Sequence, residues 1–155
     1  MVSTFVFSET NGTSPGSVTD SISNINYGNT DAANITPLDN PVRAGENSFS
    51  KWNRGKWTGT FNKISAIKWW RSDGQGFPTG VEIVADTQTT YATPSTTSIG
   101  TTQIPTTEGS ALTPGPTELT SAGYSNFVRS QLKTTASAAP GNTPTFTATC
   151  QWDEQ

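Results

Sequence analysis

Three observations predict an all-β chain. Large apolar residues alternate with polar ones in most apolar stretches, clusters of Gly, Pro, Asn and Asp cut the chain at short intervals, and Thr and Ser are abundant. Only 31% of the residues are hydrophobic and 14% are charged, against roughly 45–50% and roughly 25% in an average globular chain. Thr, Ser, Gly, Pro and Asn fill the difference, which favours strands joined by loops. Aromatic residues make up 10% of the chain at a net charge of −3, whereas disordered chains combine few aromatics with high net charge. A chain of 155 residues has the length of one domain, whose core would bury roughly 68–70% of the unfolded surface. The expected architecture is a single β-sandwich or jelly-roll-like domain over 1–155, with long Thr/Pro/Ser-rich loops.

The chain is organised around the stretch from Glu46 to Arg71. It holds four of the five tryptophans and six of the nine basic residues, and no acid follows Glu46 until Asp73. Its large residues do not recur three and four apart, while Trp57 with Phe61, and Ile67 with Trp69, share a parity. Strands are therefore expected at Asn47–Trp52, Lys56–Phe61 and Ile64–Arg71, with Asn53-Arg54-Gly55 and Asn62-Lys63 as turn or bulge residues.

The remaining elements follow in order. Val2–Ser8 alternates as a first strand with Phe5 and Phe7 on one face, ended by Asn11-Gly12 and Ser14-Pro15-Gly16. In Val18–Tyr27 the apolar residues fall at near-helical spacing but the polar content favours an irregular or weak strand segment, so no element is assigned. Gly28–Gly45, with Pro37 and Pro41, reads as a surface loop. Ser72-Asp73-Gly74-Gln75-Gly76 is a hairpin signal, and Phe77–Asp86 is the returning strand, Val81, Ile83 and Ala85 inward. Pro94, Pro105, Pro114 and Pro116 forbid a continuous interior strand in Tyr91–Gly123. Residues 92–123 are expected to form an extended loop or arm that adds little to the core and rests on a partner, with a short strand at Ser98–Ile104. Tyr124–Thr134 places Val128 and Leu132 on one side, and after a turn at Pro140-Gly141-Asn142 comes the last strand, Thr145–Trp152.

Composition also bounds the chemistry. There is no histidine and one cysteine, so neither a disulfide nor a metal site of the usual kind is expected, and no cofactor. Cys150 shares a strand face with Phe146, Ala148 and Trp152 and reads as a small buried hydrophobe. The sequence pI of about 4.8 argues against general binding to nucleic acid. The segment M-V-S-T-F-V-F-S-E has no basic leader, and no run approaches a membrane span; a soluble protein made in the cytoplasm is expected. Carboxylates such as Glu46, Glu82 and Asp86 are the acid–base candidates, and two of them across a cleft beside tryptophans would be a glycosidase arrangement. No spacing places two of them face to face, so no enzyme is expected.

The aromatic and basic cluster supports three readings. Trp57, Phe61, Ile67 and Trp69 fit a core, with Lys56, Lys63 and Lys68 solvated. Outward Trp52 and Trp70, flanked by Lys51, Arg54 and Arg71, have the composition of a protein-interface anchor. A stacking platform for sugars or single strands is the third. Adjacent side chains on a strand face opposite ways. Trp69, in phase with Ile67, is expected inward and Trp70 outward. The candidate partner-binding residues are Trp52, Arg54, Trp70 and Arg71.

Several segments, spread over most of the chain, carry a resemblance: Ile25-Asn26-Tyr27-Gly28, Ala44-Gly45-Glu46-Asn47-Ser48-Phe49, Gly59-Thr60-Phe61-Asn62-Lys63-Ile64, Phe77-Pro78-Thr79-Gly80-Val81, Tyr91-Ala92-Thr93-Pro94, Gly123-Tyr124-Ser125-Asn126-Phe127 and Gln151-Trp152-Asp153-Glu154. In style and segment order the chain resembles the small virion proteins that decorate or cement the capsids of tailed bacteriophages. The resemblance implies a β-sandwich or jelly-roll protein, commonly trimeric, that binds the major capsid protein on the outside of an assembled shell and strengthens it without catalysis. Neither a nucleic-acid nor a membrane partner is expected, on the acidic pI and the lack of an apolar span given above. Tail, baseplate and fibre components and carbohydrate-binding β-sandwich modules share this composition.

Overall fold

Alternation along the chain becomes nine strands among the residues that the computed structural model describes, 2–72, 76–141 and 145–155. They are β1 (Ser3–Asn11), β2 (Ser17–Asp20), β3 (Lys51–Gly59), β4 (Ile64–Arg71), β5 (Val81–Gln88), β6 (Glu118–Leu119), β7 (Gly123–Tyr124), β8 (Phe127–Thr134) and β9 (Ala148–Glu154); a single 3₁₀ turn spans Glu108–Ser110. One sheet runs β2-β1-β3-β8-β5 with β7 also against β3, and the other runs β6-β4-β9. Every pairing is antiparallel. The chain is thus all-β, a sandwich of two sheets. No helix among the described residues is long and apolar enough to cross a membrane.

Register explains what lies between the sheets. Phe5 sits opposite Trp57, Phe7 opposite Gly55 and Glu9 opposite Asn53, so odd-numbered residues of β1 and β3 share the inner face. From the second sheet Ile64, Ile67 and Trp69 point back at them. Aromatic rings interlock across the gap: Phe5 stacks on Trp152 at 4.7 Å, Trp57 meets Trp152 edge-on at 5.5 Å, and Phe7 meets Trp69 at 4.9 Å. Trp57 is 0% exposed and Trp69 2%. Ring pairs of this kind add about 0.5–1.5 kcal/mol each beyond the area they bury. A second cluster, Tyr27, Ile83, Ala85, Ile104 and Leu132, fills the β5/β8 end. Cys150 and Trp152 pack against the first cluster, and burial pushes the Cys150 thiol up to about 12.

A bulge in β4 explains how Ile64 shares a face with Ile67 and Trp69. Between the pairs Ser65↔Asp153 and Lys68↔Gln151, β4 advances three residues while β9 advances two. Ala66 takes up the excess in the left-handed region, at φ 52°.

Several expectations are corrected. Asn47–Trp52 and Lys56–Phe61 are not separate strands; Lys51–Gly59 is one, and Asn53-Arg54-Gly55 lies inside it. Gly55 reads as a turn former in the sequence but serves here as clearance. A Cβ there would lie 2.6 Å from the Trp57 ring and 2.8 Å from Phe5. Residues 47–50 add only an isolated bridge, Asn47↔Lys133. The turn at 72–76 falls largely outside the described residues, and the strands it was to pair are in different sheets. The first strand runs on past Ser8 to Asn11 because Glu9 and Thr10 are buried against β3.

The segment 92–123 is also not a free arm. Tyr91 packs on Trp52, and residues 95–100 then cross the outer face of the first sheet. There the buried Gln131 amide donates to the carbonyls of Ser48 (2.9 Å) and Thr97 (3.1 Å) and accepts from the Ile99 N–H (3.1 Å). Farther on, the Ala85 N–H donates to the Thr102 carbonyl and the Ile104 N–H to the Ile83 carbonyl, both at 2.9 Å, which covers the edge of β5. Leu112 then exchanges two backbone bonds with Trp69 (2.8 and 2.9 Å) on the side of β4 away from β9. The segment is a belt that ties the two sheets together along one side, and Ile104 belongs to the core. The short strand expected at 98–104 reduces to the bridge Val84↔Gln103.

Candidate partner-binding surfaces

The residues singled out for partner binding are dispersed. Trp52, 2% exposed, is not outward in any accessible sense. Its ring is held edge-on by Tyr91 (5.2 Å) and Phe127 (5.6 Å), with the Arg129 guanidinium over it at 5.4 Å. Arg54, on the same face of β3, lies 3.8 Å over the Tyr124 ring and 4.7 Å from that of Phe127; burial lowers its pKa. Arg71 is buried too, with its guanidinium 4.3 Å from the Phe77 ring. Trp70 alone fits its expected position, half-buried on the outer face of the second sheet. Trp52 and Arg54 therefore sit on one sheet and Trp70 on the other, and the four do not form one patch. Tyr91, Tyr124 and Phe127, distant in sequence, supply the cover that composition around Trp52 did not reveal.

Lys51, expected beside that anchor, points the other way into a polar network. Lys51 is 1% exposed and Glu9 0%. The ammonium donates to Glu9 Oε1 at 3.0 Å and to the Ala32 carbonyl at 2.6 Å. Glu9 also accepts from Asn11 (2.8 Å) and Asn53 (3.3 Å), and Asn11 reaches Asp31 at 2.7 Å. The network satisfies both charges, as burial requires.

Other carboxylates are paired as well. Glu82 meets Lys133 at 3.2 Å, Asp86 holds Arg129 through two contacts, and Glu108 meets Lys68 at 2.8 Å. Glu82 and Asp86 lie four residues apart on one strand face, about 13 Å by strand rise, beyond the roughly 5–9.5 Å of a glycosidase pair. Asp20 accepts from Lys56, Ser8 and Tyr124. The hydrogen bond from Lys56, then that from Ser8, holds its carboxyl below the usual range. Lys56, Lys63 and Lys68 are all partly exposed. Among the described residues no three His, Cys, Asp or Glu side chains group as a metal site.

A concavity lies elsewhere. A cleft of about 630 Å³ opens between residues 22–26 and 36–38 on one flank and 145–148 on the other, with Phe7 at its base. Its apolar lining includes Ile22, Ile25, Phe146 and Leu38, the last 85% exposed at the rim. Sequence reading left 18–27 unassigned because its near-helical apolar spacing conflicts with its Ser, Asn and Asp content. Comparison with protein-family models, with curated proteins and with solved structures gives no match.

Proposed function

We propose that the chain is a non-enzymatic virion structural protein that binds the outer surface of a tailed-phage capsid and stabilises the shell, as a homotrimer on the major capsid protein. The observation that carries the reading is the pairing of five acidic side chains within the chain. Glu9, Asp20, Glu82, Asp86 and Glu108 each face a Lys or Arg of the same chain. A fold so braced is suited to mechanical reinforcement, and general acid–base chemistry needs a group left poised to transfer a proton. The segments that carry the resemblance support it from another side, since they form joints of the sandwich. Gly59–Ile64 crosses from one sheet to the other, and Gly123–Phe127 links β7 to β8. On this reading Trp70, half-buried on the outer face of the second sheet, is the side chain that would meet the shell.

Purified virions of the phage that encodes the chain test the reading by quantitative mass spectrometry and by co-sedimentation of added protein with capsids that lack it. The expected result is a copy number comparable to that of the major capsid protein, and saturable binding to heads. Presence on tails alone would make it a tail, baseplate or fibre component. Absence from virions, with retention of a monomer on a polysaccharide column, would make it a carbohydrate-binding module.

A further inference from the structure

The two open sides of the sandwich are treated differently. On one side the belt bonds both to β5 and to β4 and closes the gap between the sheets. On the other, β2 ends one sheet and β9 ends the other, and the 630 Å³ cleft lies there. Its flanks are short, non-helical stretches of chain. The Ile22 N–H donates to the Phe7 carbonyl at 3.1 Å, which fastens 22–26 to the first sheet, and the Ser72 N–H donates to the Thr147 carbonyl at 3.0 Å, which fastens 145–148 to the second.

Consecutive residues line the cleft on both flanks, 22 through 26 and 145 through 148. Side chains of an extended segment alternate between faces, so a cavity touched by every residue in turn runs along the backbone edge. The opening therefore lies edge to edge between two stretches of chain fastened to opposite sheets. Its rear is braced: Asn34 Oδ1 accepts from the Ser23 N–H at 2.7 Å, and Asn26 Nδ2 donates to the Ile35 carbonyl at 2.9 Å. Its volume falls within the roughly 300–1,000 Å³ of sites that hold a ligand.

We propose that this slot is a strand-accepting site, which binds an extended, uncharged peptide segment of a partner protein about four to five residues long. Length follows from the flanks, four and five residues at about 3.3 Å each. Neutrality follows from the lining, which among the described residues contains no charged side chain; a buried charge on the guest would have no counter-charge. The guest's backbone adds to the edge beside β9, and alternate apolar side chains descend onto Phe7 and Phe146. The slot's chemistry is independent of which surface the protein occupies, and the test uses no capsid.

Panning a displayed library of random peptides against the folded protein tests the assignment. Enriched peptides should carry apolar residues at alternate positions and no charge. A synthetic peptide of the enriched sequence should lose about tenfold or more in affinity, equal to about 1.4 kcal/mol, on Leu38→Glu and on Ala148→Glu, and none on Val2→Glu, an exposed control remote from the cleft. Leu38 is a surface side chain, so that variant keeps the fold even if the Ala148 variant does not. Bound peptide should slow amide exchange at 22–26 and 145–148. No enrichment, charged consensus peptides, or affinity unchanged in Leu38→Glu would overturn the proposal. So would a neutral oligosaccharide that binds at Leu38 where peptides do not.

Discussion

Replacing Lys51 by Met keeps most of the side chain's volume and removes its charge. Glu9 would then remain as a carboxylate with no exposed surface, holding only the amide donors of Asn11 and Asn53. The Ala32 carbonyl would lose a 2.6 Å donor. Breaking a buried pair from one side destabilises by about 3–5 kcal/mol, because the surviving charge is neither solvated nor neutralised. Against a whole stability of about 5–15 kcal/mol that is a severe loss. At about 2–4 °C per kcal/mol for a chain of this size, the melting temperature should fall by about 6–20 °C. Glu9→Gln in the Lys51→Met background removes the stranded charge and keeps an acceptor for Asn53, so the double variant should be more stable than Lys51→Met alone. Urea titrations of the native chain, both single variants and the double variant give the four corners of the cycle. A Lys51→Met protein within about 1 kcal/mol of native, or a double variant that loses the sum of the singles, would refute the argument that the pair is coupled.

Trp69→Ala should lose about 3–5 kcal/mol as a large-to-small change in the core, while Trp70→Ala should melt near the native temperature and weaken capsid association by about 2 kcal/mol or more; equal melts for the two would make both rings core. Gln131→Ala strips the amide that fastens residues 95–99, and with about 1–3 kcal/mol lost per buried group left unpaired, limited proteolysis should cut at 91–103 sooner than in the native chain. Unchanged cleavage there would mean that other contacts hold the belt. Asp20 has a depressed pKa, so its contribution is present above the unfolded value of about 3.9 and fades as pH falls through the folded value. Melting curves between pH 5 and pH 2 should therefore decline less steeply for Asp20→Asn than for the native chain, and parallel declines would remove Asp20 from the acid limb.

Parity carried the legible part of the fold. Trp57, Phe61, Ile67 and Trp69 are core because they alternate with polar residues, and β4 lies at Ile64–Arg71 as its pattern requires. What the pattern hid depends on partners far along the chain. Asn53-Arg54-Gly55 has the composition of a turn, yet Asn53 serves Glu9 and Gly55 makes room for Trp57. Trp52 has basic neighbours that suggest a surface, but Tyr91 and Phe127 bury it. The belt looked like an arm because its prolines exclude a ladder; isolated backbone bonds at Thr102, Ile104 and Leu112, with the Gln131 amide, dock it. The slot was invisible because a cavity between two sheets belongs to neither flank's own sequence.

The left-handed residue at Ala66 acts on β4 as a phase shift acts on a wave. Upstream and downstream of it the alternation is regular, but the two halves are out of step by one residue. Identity at that point is loosely held, since glycine would relieve about 1–2 kcal/mol of left-handed strain and still advance the chain equally. Phase is rigidly held. Flattening the bulge with every residue kept would restore a plain alternation and turn Ile67, Trp69 and Arg71 outward together, exchanging the sandwich's interior for its exterior along half a strand, whereas deleting Ala66 would leave them inward. Variation in β4 is therefore free to proceed by substitution at the outward positions, Ser65, Lys68 and Trp70, and by loss of the bulge residue, so a new binding face on that sheet would arise without a single insertion.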